Sequence, residues 1–249
     1  MQLLVSVTNA SEAAAALEGG ADLIDAKDPR SGALGAVTPQ VLRAIHAAVG
    51  GSRPVTAALG DASDEAAIEE AAQAFTLAGA RLVKIGFAGT SDAGRVSSLI
   101  AAAVRGAGDR GAVVAVAYAD DERAGSLAPE ALVAVAARAG ATGVLLDTAD
   151  KDGPGLRERM PVHALASWVA SAHAAGLQVA LAGKLTAADL SFVREAGADI
   201  AGVRGAACDG GRLGCVSAGL VCRLRAMLND GSVRLQPDLG RGYREKEIV

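Results

Sequence analysis

The chain has 249 residues, 51% of them hydrophobic, and a formal net charge of -4 at pH 7. This length is enough to bury a large core, and the charged residues, 21% of the total, are scattered without basic runs, which argues against nucleic-acid binding. The N-terminal apolar run is too short for a signal peptide or a membrane span, so we expect a cytoplasmic protein without membrane contact.

Short apolar runs alternate with alanine-rich segments of helical period along the chain. The apolar runs predict eight strands, at residues 3–7, 22–27, 55–60, 81–86, 112–119, 143–147, 178–183 and 200–204. Helices are predicted between them, for example at 10–20, 63–80 and 161–176. This pattern is typical of a (β/α)8 TIM barrel, here a single domain at 1–228. Residues 229–249 are predicted to form a polar C-terminal tail.

A repeated helix-to-strand junction indicates that the sheet closes on itself. A Gly-Ala pair starts at Gly20, Gly79, Gly140 and Gly197, at intervals of 59, 61 and 57 residues. Each interval spans two strand-helix units, so the strands after these junctions are the even-numbered ones. Quarter-barrel repetition fits a closed barrel better than an open, doubly wound sheet, which would more naturally carry a glycine fingerprint after its first strand.

Aligning the four junctions brings charged residues to matching heights on the even strands. Residues two apart on a strand share a face. The residues expected to project into the C-terminal mouth of the barrel are Asp25, Lys27, Lys84, Asp147 and Arg204. Lys151 and Lys184 follow in the loops after the sixth and seventh strands, so four of the five lysines belong to one rim. Tyr118 and Asp120, at the end of the fifth strand, are secondary candidates.

A cluster of lysines predicts carbonyl chemistry. Lysines close together in a low-dielectric site lower one another's pKa, so that one is a neutral amine near pH 7. Asp25 and Asp147 would hold the other ammonium groups and carry protons during imine formation, although ordinary ion pairs fit these aspartates equally well. A solvated charge is the usual role of a single lysine, but four on one rim favour Schiff-base chemistry.

The loops after the last two strands are predicted to bind phosphate, as they commonly do in such barrels. Backbone N–H groups of Gly183, Gly205 and Ala206 would cradle the anion, with Lys184 or Arg204 adding charge. Turn or strand-end roles for the two glycines stay open. A small phosphorylated aldehyde or ketone would satisfy both halves of the site.

Other motifs do not predict a cofactor or a metal. The segment GAGDRG at 106–111 matches a dinucleotide fingerprint, but it lies between a helix and a strand, which is the wrong context. The histidines lie in predicted helices without paired-ligand spacing. Cys215 and Cys222, seven residues apart, are predicted to share one buried helical stripe.

The order and spacing of several motifs resemble those of a known family, the (5-formylfuran-3-yl)methyl phosphate synthases, also called 4-(hydroxymethyl)-2-furancarboxaldehyde-phosphate synthases. The motifs are IDAKDPRSGALGA, LVKIGF, VAYAD, LLDTADKDG, ALAGKL and IAGVRGAACDGGR, and the resemblance covers about residues 1–228. It implies a TIM barrel that condenses two molecules of glyceraldehyde 3-phosphate, with loss of phosphate and water, to a phosphorylated furan aldehyde for methanofuran biosynthesis.

The resemblance also implies roles for individual residues. The imine-forming lysine falls on Lys27, with Asp25 as its strand partner. The two further active-site lysines fall on Lys84 and Lys151, and the second aspartate falls on Asp147.

Two other functions remain open at the level of sequence. One is a class I aldolase or sugar-phosphate isomerase that uses the same lysine, and the other is a non-catalytic barrel that binds a phosphosugar. We expect the partner to be a small triose phosphate, and we expect the protein to be a homo-oligomer.

Overall fold

The computed structural model describes residues 1–229, which form a closed barrel of eight parallel strands. The strands are β1 (Gln2–Val7), β2 (Leu23–Ala26), β3 (Val55–Asp61), β4 (Leu82–Gly86), β5 (Ala112–Tyr118), β6 (Gly143–Asp147), β7 (Gln178–Leu181) and β8 (Ile200–Val203). Each strand pairs with the next, and β8 pairs with β1. The predicted single-domain TIM barrel is confirmed, and the predicted strand ends differ from the observed ones by two residues or fewer.

Helices connect the strands around the outside of the barrel. They are α1 (Ala10–Glu18), α2 (Pro39–Val49), α3 (Glu65–Leu77), α4 (Ala93–Ala107), α5 (Asp121–Ala124), α6 (Pro129–Arg138), α7 (Leu156–Arg159), α8 (Val162–Ala174), α9 (Leu190–Glu195) and α10 (Ala218–Asn229). Side chains of Thr38, Asp64 and Asp92 accept backbone N–H groups at the starts of α2, α3 and α4, which satisfies donors that the first helical turn leaves unpaired. Of the predicted tail, Asn229 ends α10 and the rest lies outside the described residues.

The four glycines of the sequence repeat turn the chain from a helix into an even-numbered strand. Their φ angles are +87° at Gly20, +108° at Gly79, +89° at Gly140 and +83° at Gly197. This left-handed region disfavours side chains with a Cβ atom, so glycine is the residue suited to the turn. The repeat therefore records four equivalent helix ends, after α1, α3, α6 and α9.

The inside of the barrel is filled unevenly. Along β3 and β5, Ala58, Val116 and Tyr118 pack with Leu34 into a tight cluster in which none of them is more than 2% exposed. Several inward positions on β6 to β8 and just after β7 carry small residues instead, namely Gly143, Ala180, Ala182 and Gly202, beside the larger Leu145, Gln178 and Ile200. Side-chain volume is therefore missing on one half of the interior.

The prediction of a buried cysteine stripe is wrong. A short antiparallel hairpin, β9 (Cys208–Asp209) and β10 (Cys215–Val216), precedes α10. Cys215 lies on β10 and Cys222 on α10, and both are exposed. The seven-residue spacing therefore does not reflect one continuous helix.

None of the described helices is long and apolar enough to cross a membrane.

Candidate active site

The C-terminal mouth of the barrel leads into a cavity of about 290 Å³, close to the lower limit of roughly 300 Å³ for small-molecule sites. All ten predicted site residues line it: Asp25, Lys27, Lys84, Asp147, Lys151, Gly183, Lys184, Arg204, Gly205 and Ala206. The structure therefore brings together the two halves of the predicted site, the lysine cluster and the phosphate loops. The chemical roles of these residues stay predictions.

Asp25 and Lys84 form the deeper of two ion pairs. Lys84 Nζ lies 2.6 Å from Asp25 Oδ1, and both side chains are buried. The hydroxyls of Ser6 and Thr56 donate to the same carboxylate over 2.9 and 2.7 Å. Burial opposes ionisation of Asp25, but the positive charges of Lys84 and Lys27 outweigh it and lower the pKa of the carboxyl. Asp25 is therefore held as a fully bonded anion.

Sequence reasoning missed Ser6 and Thr56. Both lie directly beside Asp25 in the strand register, Ser6 on β1 and Thr56 on β3. Only the alignment of neighbouring strands could have identified them. The sequence repeat marks the even-numbered strands, whereas Ser6 and Thr56 lie on odd-numbered ones.

Asp147 and Lys151 form the second ion pair, nearer the rim. Lys151 Nζ lies 2.6 Å from Asp147 Oδ1, which also accepts the backbone N–H of Thr148 over 2.8 Å. Burial opposes ionisation of Asp147, but Lys151 and Lys27 outweigh this effect and lower its pKa. The other carboxylate oxygen faces Lys27.

Lys27 lies between these two pairs, and no residue of 1–229 forms a close ion pair or a hydrogen bond with its Nζ. Its Nζ is 3.9 Å from Asp147 Oδ2, which is beyond hydrogen-bond distance, and its side chain is 11% exposed. Burial lowers the pKa of Lys27 to about 8. The charge of Asp147 opposes this shift, and those of Lys151 and Lys84 add to it. Lys27 is thus an amine that is neutral in an appreciable fraction of molecules near neutral pH.

The predicted phosphate loops face the cavity with unused donors. The backbone N–H groups of Gly183, Lys184, Gly205 and Ala206 donate to no protein acceptor within residues 1–229. Gly183 and Lys184 both have positive φ, at +101° and +59°. Lys184 Nζ donates to the carbonyl of Gly153, so its charge is held at the rim. Consecutive free N–H groups of this kind form anion sites.

The guanidinium of Arg204, a predicted source of charge for phosphate, is already engaged with protein acceptors. Its guanidinium donates to Glu12 Oε2 and Oε1 over 2.6 and 3.1 Å, and to the backbone carbonyls of Ser6, Arg212 and Gly214. These bonds use all five of its N–H groups. Arg204 lines the cavity, but its side chain has no N–H group left for a phosphate and instead joins β8 to α1.

Asp120 holds the loop that carries Lys151. The buried carboxylate accepts the backbone N–H groups of Ala149 and Asp150 over 2.7 and 2.9 Å. Arg159 lies 3.8 Å away. Asp120, a secondary candidate from the sequence, thus contacts the site through the backbone just before Lys151.

Tyr118 closes the opposite wall of the mouth. Its hydroxyl donates to Asp61 Oδ1 over 2.7 Å, and this bond occupies the space where a Cβ on Gly86 would lie. Gly86 is the counterpart of Lys27 in the sequence repeat. Glycine at this height therefore leaves room for the Tyr118–Asp61 contact.

Within residues 1–229, no group of three or more His, Cys, Asp or Glu residues is arranged to hold a metal ion.

The family model for 4-HFC-P synthase matches residues 3–225. The chain belongs to the 4-HFC-P synthase family. It is 41% identical over 233 residues to the (5-formylfuran-3-yl)methyl phosphate synthase of Methanopyrus kandleri, covering 91% of this chain and 98% of the relative. The synthase of the same name from Methanococcus maripaludis is 40% identical, with coverage of 85% and 91%. The predicted resemblance is confirmed, and the 4-HFC-P synthases are a family of enzymes.

Solved structures outside the 4-HFC-P synthase family share the fold. The structure of 3-hexulose-6-phosphate synthase has a TM-score of 0.61 at 20% identity, covering 92% of this chain and all of the other. Phosphoribosyl anthranilate isomerase from Thermotoga maritima has a TM-score of 0.64 at 12% identity, with coverage of 92% and 98%. At such identities the likeness shows the TIM barrel alone.

Proposed function

We propose that the protein condenses two molecules of glyceraldehyde 3-phosphate to (5-formylfuran-3-yl)methyl phosphate through an imine on Lys27, as a step of methanofuran biosynthesis. Membership of the 4-HFC-P synthase family supports the product. The lysine cluster supports the imine, because a nucleophilic lysine must lose its proton before it attacks a carbonyl.

The observation that carries the proposal is the contrast among the three lysines. Lys84 and Lys151 each lie 2.6 Å from a carboxylate oxygen of their own. Lys27 is 3.9 Å from its nearest carboxylate, and its pKa is lowered to about 8. It is the lysine of the three best suited to exist as a free base and to form a covalent bond.

In the proposed first stage, the neutral amine of Lys27 adds to the aldehyde carbon of one triose, and water leaves to give an iminium ion. The iminium draws electrons from the adjacent C2, which loses a proton to give an enamine. The enamine electrons then expel phosphate from C3 together with the electron pair of the C3–O bond. Asp147, beside Lys27, is placed to accept and return protons.

In the second stage, the activated three-carbon unit bonds to the second triose, the ring closes, and hydrolysis of the imine frees Lys27. Two C3 phosphates give one C6 furan phosphate, one phosphate and two molecules of water, so no oxidant or reductant is required. Lys84 and Lys151 supply positive charge for the phosphates and for proton transfer. The free N–H groups after β7 and β8 hold the retained phosphate.

Two measurements on the purified protein test the proposal. Incubation with glyceraldehyde 3-phosphate should give the ultraviolet absorbance of a furan aldehyde together with release of inorganic phosphate. Borohydride added during turnover should leave a reduced adduct on the Lys27 peptide by mass spectrometry. An adduct with no furan would point to an aldolase or isomerase, and no adduct and no furan to a binding protein.

A further inference from the structure

The cavity does not end at the lysines. It continues beneath the Asp25–Lys84 pair into what we name the inner chamber, lined by Leu4, Leu23, Leu82, Val114, Ala180 and Gly202. Leu82, Val114 and Ala180 are partly exposed although they lie inside the barrel. TIM barrel interiors are normally packed with branched side chains, so this space needs an explanation.

Small residues at some of the inward positions of β6 to β8 leave the inner chamber open, although Leu145, Gln178 and Ile200 also line the cavity. Gly202 is the clearest case, since its φ lies outside the positive region. A Cβ added there would contact Ala182 Cβ at 3.4 Å and Leu4 Cδ2 at 3.7 Å, which are ordinary van der Waals distances. Neither backbone strain nor crowding therefore requires glycine at 202. Its absent side chain leaves volume open.

Most of the side chains that line the inner chamber are apolar, and Gln178, at the start of β7, adds one polar amide to the lining. Above the inner chamber, Asp25 and Lys84 form an ion pair with each other, and the hydroxyls of Ser6 and Thr56 donate hydrogen bonds to Asp25. A hydroxylated triose placed here would lose most of its hydrogen bonds to water, because few polar groups line this part of the cavity. A dehydrated furan ring has no hydroxyl to lose and matches an apolar wall.

Resting on the proposed function, we propose that the inner chamber receives the ring carbons of the condensed intermediate as it loses water, and that Ala180 and Gly202 set the depth available to the ring. The phosphate stays at the free N–H groups of the mouth, and the ring points down along β7 and β8. Because the inner chamber accommodates the dehydrated ring better than the hydroxylated trioses, it stabilises the late steps more than the early ones.

Substitutions that fill the inner chamber should affect the late steps and leave imine formation on Lys27 intact. Gly202→Ala adds one methyl group at ordinary contact distances, and Ala180→Val adds two methyl groups to a side chain that is partly exposed to the cavity. The matched control is Ala47→Val, which adds the same two methyl groups on the exposed surface of α2. For each variant we would measure the borohydride adduct on Lys27, the rate of furan formation, and the affinity for synthetic (5-formylfuran-3-yl)methyl phosphate by calorimetry.

The expected result is an adduct yield within twofold of the unmodified protein, with furan formation and furan phosphate affinity each at least tenfold lower in Ala180→Val. Gly202→Ala should show a smaller loss and Ala47→Val none. Unchanged furan phosphate affinity in both chamber variants would overturn the inner-chamber proposal. Failure of the unmodified protein to make furan would instead overturn the proposed function, and the affinity measurement would still decide the use of the chamber.

Discussion

The Nζ atom of Lys27 lies 3.9 Å from Oδ2 of Asp147, close enough for electrostatic attraction but too far for a hydrogen bond. The other oxygen of Asp147 is bonded to Lys151. One oxygen of Asp147 thus holds Lys151, and the other lies near Lys27 without forming a hydrogen bond to it. In the proposed mechanism, this arrangement would leave Lys27 free to attack a carbonyl and provide a proton acceptor next to it.

Replacing Lys27 by arginine tests the covalent role directly. A guanidinium keeps the positive charge but cannot form an imine. We expect Lys27→Arg to lower furan formation by more than about 10³-fold and to abolish the borohydride adduct, while affinity for inorganic phosphate stays within a few-fold. Furan formation at a rate near that of the unmodified protein would rule out the imine on this residue.

The pH dependence of imine formation should report the lowered pKa of Lys27. Below a pKa of about 8 the amine is protonated and unreactive, and above it the free base predominates. The initial rate of adduct formation should therefore rise with pH, with a midpoint near 8, and level off above it. A midpoint above pH 10, the ordinary range for lysine, would show that burial does not tune this amine.

Two substitutions should move this midpoint in opposite directions. The charge of Asp147 raises the pKa of Lys27 and that of Lys151 lowers it. Asp147→Asn should therefore shift the midpoint to lower pH, and Lys151→Met to higher pH. The pH-dependent labelling of Lys27 by an amine reagent, followed by mass spectrometry, measures both shifts even if turnover is lost. Shifts of the same sign in both variants would contradict the electrostatic account.

Asp120 should act as a positioning residue for Lys151. Asp120→Ala removes the acceptor for two backbone N–H groups in the loop before Lys151. Since small displacements of catalytic groups cost up to roughly 10²-fold in rate, we expect kcat to fall by about that factor with little change in KM. Asp120→Asn, which keeps one acceptor oxygen, should lie in between.

The same variants provide a readout that a purely structural role would not give. If Lys151 moves away from the site in Asp120→Ala, the pKa of Lys27 should rise, because Lys151 lowers it in the native arrangement. Loss of thermal stability with kcat and this pKa unchanged would show that Asp120 only supports the fold.

The Glu12–Arg204 pair should stabilise the barrel near neutral pH. Both side chains are 7% exposed, and breaking a buried pair by removing one partner costs about 3–5 kcal/mol. We expect Glu12→Gln to lower the free energy of unfolding by an amount near the low end of this range, since the amide still accepts one bond. Urea unfolding followed by circular dichroism measures the difference, and a loss below 1 kcal/mol would contradict the assignment.

The pH dependence of this contribution has a definite sign. Burial opposes ionisation of Glu12, but Arg204 and the backbone N–H of Thr8 outweigh it, so the pKa of Glu12 in the folded protein lies below its ordinary value of 4.5. The stabilisation is therefore complete above that value and is lost as the pH falls through the folded pKa. The stability difference between the native protein and Glu12→Gln should shrink in that acidic range.

The repeat of even strands was enough to predict which lysines share the mouth. Period-two alternation fixes which side chains face inward, and the junction glycines fix their heights, so Lys27, Lys84 and Asp147 follow from spacing alone. Contacts between different kinds of element do not follow from it. Arg204 lines the mouth as predicted, but its bonds to Glu12 depend on how α1 packs beside β8.

Two further features could not be predicted from the sequence, because one depends on strand register and the other on a local hairpin. Ser6 and Thr56 bond to Asp25 because three neighbouring strands align at that height, and this alignment arises only when the barrel closes. Cys215 was misplaced because heptad spacing cannot distinguish a helix from a hairpin followed by a helix.

The hydrogen bond between Tyr118 and Asp61 closes one side of the barrel mouth. At the height of Lys27, which directly follows β2, Gly86 of β4 has no side chain, and the phenol of Tyr118 closes that side. The opposite side is bordered by small residues and by backbone N–H groups that have no protein acceptor within residues 1–229. On the proposed function, we expect small anionic substrates and products to pass over the part of the rim formed by Gly183 and Gly205.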